Sequence, residues 1–354
     1  MRILIATDAW TPQVNGVVRT LQATIAELRA TGHEVEVISP DLFRSIPCPT
    51  YGEIRLAFAG RRAVGRHIRA FAPHAIHIST EGPLGLAARR WCVANDFPFT
   101  TAYHTRFPEY VAARLPVPTA LVWRFIRWFH RPARHIMVAT RSLALELGGQ
   151  GLGQTMMWER GVDHDLFRAD RASHPAFVDM PRPIQLYVGR VAVEKNIEAF
   201  LETGHPGTKV VVGDGPALAD LRARYPEAAF LGKMGGEELA SAYAGADVFV
   251  FPSRTDTFGL VVIEALSCGT PVAAHPVPGP GDIVADGAGA LDEDLDTAIA
   301  TALSCDRADA ATLGARYNWS ACTVQFLRAL TFVPAETVSG ASLGAPSLAR
   351  NDFA

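Results

Sequence analysis

Two stretches of this 354-residue chain place charge beside glycine in a way that suits anion and hydroxyl chemistry. In "GRVAVEK", Gly189, Arg190 and Lys195 follow an apolar run. The glycine lets backbone approach a ligand, and two cations straddling a helix start suit a diphosphate. Ordinary cations on a solvated turn give the same letters. Against that, the chain has only three lysines (195, 209 and 233) beside 30 arginines, so lysine is poor surface filler here. In "RTDTFGLVVIEALSCGTP" (254–271), Asp256 stands at the mouth of a Thr/Gly loop and Glu264 lies inside an apolar run. A carboxylate in such a run is costly unless something binds it. If "VFVFPS" is a strand that ends at a crevice, the amides of Thr257, Phe258, Gly259 and Leu260 point at the ligand. Glu264, one turn in on the side of Leu260, could then accept two adjacent hydroxyls of a ribose. A helix dipole or a buried arginine is the other account of Glu264.

Weaker signals share this logic. Asn15-Gly16 precedes a helix and offers an anion site. Gly213 in "VVVGDGPAL" and Lys233 in "FLGKMGGEEL" close two further strands. His104 ends a strand in "TAYHTRFPEY", and Glu81 precedes a glycine and a helix start in "ISTEGPLG". Neither belongs to a Ser/His/Asp or metal-ligand array, and an isolated histidine is more often structural. Asp292-Glu293-Asp294 reads as an acidic surface loop. No GxGxxG is present, and the second strand ends Ile38-Ser39-Pro40 with no acid for a dinucleotide ribose, which counts against a nicotinamide dehydrogenase.

The elements that must carry these residues are legible as alternating apolar runs and periodic stretches. Strands are expected at "RILIAT" (2–7), "EVEVIS" (34–39), "AIHIS" (75–79), "FTTAYH" (99–104) and "HIMVAT" (135–140). After a proline-rich, aperiodic stretch at 165–183 the rhythm restarts with "IQLYVGR", "KVVVGDG", "AAFLG", "VFVFPS" and "PVAAH". The fold class is therefore α/β: two Rossmann-like, doubly wound parallel-sheet domains facing across a cleft. Expected boundaries are 1–168 and 169–320, then a helix over 318–333 and a flexible tail from 334 to 354.

The totals agree with a soluble two-domain chain. No window approaches the roughly 18 uncharged apolar residues of a membrane span. Five scattered cysteines (48, 92, 268, 305 and 322) with no CxxC argue for reduced thiols and against zinc. Residues 1–170 carry 20 Lys+Arg against 14 Asp+Glu, whereas residues 171–354 carry 13 against 22. A basic half joined to an acidic one suits an anionic partner, phosphate or membrane, unless solubility charges simply fall unevenly.

The pairing of "GRVAVEK" with "SRTDTFGLVVIEALSCGTPV" resembles the retaining nucleotide-sugar glycosyltransferases of family 4, which have the GT-B fold. "STEGPLG" and "YHTRFPEY" resemble most the branch containing lipid α-mannosyltransferases and sulfoquinovosyl-diacylglycerol synthases. The resemblance implies that Arg190 and Lys195 hold the donor diphosphate, Glu264 binds the ribose and Gly16 crowds the phosphates. Asp256 and the 257–260 amides would bind donor-sugar hydroxyls, with His104 near the anomeric carbon. Asn15, Gly189, Gly213 and Lys233 would complete the donor site, and Glu81, Tyr103 and Arg106 would face the acceptor. The family pattern is Glu-x7-Glu, so Asp256, one methylene shorter, leaves the donor sugar open. The implied donor is GDP-mannose or a UDP-hexose. The implied reaction needs no cofactor and no metal: the acceptor attacks the face that the diphosphate leaves, and the leaving phosphate takes the proton.

With a lipid acceptor, the basic aromatic segments "GRRAVGRHIRAF" and "WRFIRWFHRPARH" gain a use. Arg61, Arg62, Arg66, Arg124, Arg127, Trp128 and Arg131 could lie on anionic lipid at the inner face of the cell membrane. Alternatively the aromatics face the core and only arginines meet solvent. A soluble sugar, sugar phosphate or polysaccharide acceptor, a nucleotide-sugar epimerase and a non-catalytic nucleotide-sugar-binding protein are the remaining alternatives.

Overall fold

The computed structural model describes residues 1–13, 15–48, 51–104, 106 and 117–334. The remainder of "YHTRFPEY" and the tail beyond Pro334 lie outside the described residues.

The first sheet has six parallel strands: β1 (Arg2–Ala6), β2 (Glu34–Ile38), β5 (Ala75–Ile78), β6 (Phe99–Ala102), β7 (Ile136–Val138) and β8 (Thr155–Met157), in the order β2-β1-β5-β6-β7-β8. A small antiparallel hairpin, β3 (Ser45–Cys48) and β4 (Tyr51–Ala57), intervenes in the chain. The helices α1 (Gly16–Ala30), α2 (Arg61–Phe71), α3 (Pro83–Ala94), α4 (Thr119–His130) and α5 (Arg141–Gly149) accompany the sheet. Period-2 alternation feeds both faces. From β1, Leu4 and Ala6 join one core with Val64, Ile68, Leu84 and Trp91, whereas Ile3 and Ile5 join another with Leu21 and Ile25 of α1.

The second sheet repeats the plan with β9 (Ile184–Val188), β10 (Thr208–Val212), β11 (Ala229–Gly232), β12 (Val248–Phe251), β13 (Val272–Ala274) and β14 (Gly289–Leu291), in the order β11-β10-β9-β12-β13-β14, all parallel. Its helices are α6 (Ile197–Leu201), α7 (Leu218–Arg224), α8 (Gly236–Gly245), α9 (Leu260–Ser267), α10 (Pro280–Ile283), α11 (Leu295–Ala302) and α12 (Arg307–Gly314). Both sheets are thus the expected doubly wound kind. Strand order reverses between β1 and β5 in the first and between β9 and β12 in the second. Ligands of such sheets bind at those reversals.

The chain crosses between the sheets twice, side by side: Val162 bridges Asn318. At that crossing a Cβ on Gly161 would stand 2.4 Å from the Trp319 nitrogen, so only glycine fits. The last helix, α13 (Trp319–Ala329), packs on the first sheet, where Phe326 and Cys322 share a core with Ile3, Leu21 and Trp158. Among the described residues no helix is long and apolar enough to cross a membrane.

Candidate functional site

The two reversal points face each other. On the first-domain side Asn15 caps α1: its Oδ1 accepts from the amides of Val17 and Val18, both at 3.0 Å. Gly16 opens the helix opposite Leu260, and a Cβ added to it would meet only Leu260 Cδ1 at 3.5 Å, an ordinary contact. The protein itself therefore makes no demand for glycine there.

On the second-domain side, Gly189 follows β9, and the Arg190 carbonyl accepts from the Tyr187 hydroxyl at 2.9 Å. Gly213, at φ 148°, passes so close that a Cβ would lie 1.8 Å from the Gly189 oxygen. Its glycine is thus explained by the close approach of these two backbones. Val193–Lys195 forms a 3₁₀ turn, and Asn196 in left-handed conformation ties it to the Pro252 carbonyl beyond β12 at 3.1 Å. Lys195 Nζ reaches Asp256 Oδ1 at 2.6 Å, with both side chains about a quarter exposed. Asp256 Oδ2 is buried without a hydrogen-bond partner. A carboxylate oxygen so placed is costly unless a donor meets it.

Gly259, in the left-handed region at φ 90°, starts α9 with no side-chain cap. Within that helix Glu264 is 2% exposed. Its Oε1 takes a hydrogen bond from Arg19 Nη2 of α1, and its Oε2 accepts from the Tyr243 hydroxyl at 3.2 Å. Burial raises the Glu264 carboxyl, against the pull of Arg19 and Tyr243. A buried-arginine partner thus exists, and it comes from the other domain, 245 positions away in the chain. Nothing in the sequence singled Arg19 out.

His104 sits where the domains touch. Thr257 Oγ1 donates to its carbonyl at 2.6 Å. Arg160 Nη2 donates to its Nδ1 at 3.0 Å, and Nε2 lies 3.0 Å from Ser79 Oγ. Burial first, then the charge of Arg160, holds His104 well below the usual imidazole range. Phe258 is buried, with its ring edge-on to Tyr317.

The other predicted residues are spread over both domains. Lys233 is exposed at the end of the edge strand β11, with β10 between it and β9. Glu81 pairs with the fully buried His130 at 3.2 Å. Tyr103 is fully buried and stacks on Trp123, and Arg106 pairs with Glu146 at 3.0 Å. On α2 the arginines 61, 62 and 66 are exposed. On α4, Ile126 and Phe129 face the core, Trp128 is 46% exposed under the Arg89 guanidinium, and Arg124 and Arg131 meet solvent. Arg127 donates to Gln150 at 2.9 Å. In the acidic loop, Glu293 pairs with Arg254 and Asp294 caps α11. Among the described residues, no three acidic, histidine or cysteine side chains gather as a metal would require.

Two doubly wound parallel sheets whose strand-order reversals meet across one cleft define a GT-B architecture. A family profile described as "Glycosyltransferase Family 4" matches residues 14–166, and one described as "Glycosyl transferases group 1" matches 182–305. The chain is 32% identical over 301 residues to sulfoquinovosyl transferase SQD2 of Arabidopsis thaliana, covering 77% of this chain and 58% of that one. It is 31% identical over 307 residues to a GDP-mannose-dependent alpha-mannosyltransferase of Mycobacterium tuberculosis, covering 80% and 81%. It is 26% identical over 324 residues to an alpha-monoglucosyldiacylglycerol synthase of Streptococcus pneumoniae, covering 81% and 74%. Among solved structures, sucrose-phosphate synthase from Thermosynechococcus elongatus superposes with TM-score 0.72 at 24% identity, over 92% of this chain and 97% of that one. The chain belongs to the family 4 glycosyltransferases.

Proposed function

We propose that the protein transfers one hexose from a nucleoside-diphosphate sugar to a membrane lipid, with retention of anomeric configuration and without a metal. The observation that carries this is the Lys195–Asp256 pair at the β9/β12 reversal, with the orphaned, buried Asp256 Oδ2 beside it. A sugar hydroxyl satisfies that oxygen, while Lys195, with Arg190, faces the phosphates. In the transfer, the C1–oxygen bond to the diphosphate breaks and a C1–oxygen bond to the acceptor forms on the same face. The acceptor's proton passes to the leaving phosphate. Arg190 and Lys195 offset the charge that grows on the diphosphate, a form of stabilisation commonly worth a few kcal/mol per contact.

The lipid acceptor is supported by the name of the diacylglycerol synthase relative and by the exposed arginines of α2 and α4 beside Trp128. The same features favour a peripheral place at the inner membrane face. Each cation near an anionic surface is worth about 1 kcal/mol. The test is transfer from GDP-mannose, UDP-glucose or UDP-sulfoquinovose to diacylglycerol or glycosyl-diacylglycerol vesicles in the presence of EDTA. An α-linked glycolipid is expected. Product formed only with soluble sugars, or only after divalent metal is added, would overturn the acceptor or the metal-free chemistry respectively.

A further inference from the structure

Arg160 is 7% exposed and lies immediately before the glycine at which the chain crosses between domains. Its Nη1 donates to the carbonyls of Trp158, at 2.5 Å, and Glu159, at 2.9 Å, and its guanidinium carbon stands 5.0 Å from the Trp158 ring centroid. Among the described residues no carboxylate pairs with it, and burial lowers it to about 10. A buried cation without an acid is expensive. What Nη2 touches is the imidazole of His104.

That contact is directional. A guanidinium has only donors, so His104 Nδ1 must be the acceptor and the ring proton must sit on Nε2, which then donates to Ser79 Oγ. Both ring nitrogens are thereby engaged, and the backbone of His104 is fixed with its carbonyl toward Thr257.

We propose that Arg160 is a positioning residue: it clamps His104 as the Nε2–H tautomer between itself and Ser79, so that the His104 carbonyl holds Thr257 and the donor loop 254–259 across the cleft. The proposal rests on the reading of 254–259 as the donor-sugar loop. His104 is then a strut rather than a proton acceptor, in keeping with a transfer in which the leaving phosphate takes the proton. Arg160 couples the interdomain crossing to the loop that carries Asp256.

Nitrogen-15 NMR of histidine-labelled wild-type protein, with His104 assigned by comparison with His104→Gln, reads the tautomer directly. Nε2–H at neutral pH is expected, and Nδ1–H or imidazolium overturns the clamp without any arginine variant. Kinetics then test the coupling. Arg160→Met is expected to lower kcat/KM for the donor by about ten- to a hundredfold, a range typical of displaced positioning groups. Arg160→Lys, which keeps a cationic donor, should retain the tautomer and lie within tenfold of wild type. Thr257→Val should act through the same bond, so Arg160→Met/Thr257→Val should be little worse than the worse single variant. Fully multiplicative losses, or wild-type kinetics for Arg160→Met, overturn the proposal. A normal tautomer in a protein that binds no nucleoside diphosphate would instead overturn the donor-site reading.

Discussion

The pair of Arg19 and Glu264 offers a sharp test, because two accounts of the carboxylate predict opposite results. Glu264 is buried, and its oxygens meet Arg19 and Tyr243, whereas the Arg19 side chain is 41% exposed. Breaking a fully buried ion pair costs about 3–5 kcal/mol. Water can reach the Arg19 end, so Arg19→Met should cost less, roughly 1–3 kcal/mol. That corresponds to a fall in Tm of roughly 2 to 12 °C for domains of this size. If Glu264 holds a ribose, its Oε1 gains two hydroxyl donors in place of the guanidinium. Arg19→Met should then leave the Kd for UDP or GDP unchanged or tighter. Glu264→Gln removes a charged acceptor worth about 1.5–3 kcal/mol, so Kd should weaken by about ten- to a hundredfold. Calorimetric titration of wild type and both variants with UDP and GDP decides the matter. Unchanged nucleotide affinity in Glu264→Gln, beside a destabilised Arg19→Met, would show that the carboxylate serves the arginine alone.

Lys195→Ala should lower turnover by about a hundredfold or more, near 3 kcal/mol, through lost stabilisation of the leaving diphosphate; near-normal kcat removes Lys195 from that role. Gly16→Ala meets only Leu260 at contact distance, so Tm should hold while the donor KM rises at least tenfold, and an unchanged KM shows that no phosphate approaches Gly16. His77 is fully buried against Trp158 and Phe326, and burial pushes it down to about 3. In the unfolded chain it takes up a proton near 6.5, so its stabilisation is present above that pH and is lost as pH falls toward 3. At 1.36 kcal/mol per unit, the loss between pH 7 and 4 is about 3 kcal/mol at most. Urea midpoints of His77→Gln should fall less over that range than those of wild type, and parallel curves would refute the assignment.

The sheets were legible because most of their strands are short apolar runs, and the central ones are buried on both faces as crossover helices require. What escaped was short or punctuated. Pro47 interrupts β3, and β8 and β14 are three-residue edge strands without the valine or isoleucine that marks the equally short β7 and β13. The loops at 189–195 and 254–259 were legible because glycine, lysine and acids stand close together in sequence. Arg19 and Arg160 were not, since their partners lie 245 and 56 positions away. The only local sign for Arg160 was its place between Trp158 and Gly161, where a surface cation would not be wedged.

The return of α13 to the first sheet has a consequence for biosynthesis. Residues 1–168 leave the ribosome first, but Cys322, Phe326 and Ala329 complete the core around Ile3, Leu21 and Trp158. Until they emerge, that apolar face is uncovered, while the second sheet already has all its strands. The domain made first is therefore finished last. In the interval its exposed face is the part of the nascent chain most in need of a chaperone's cover.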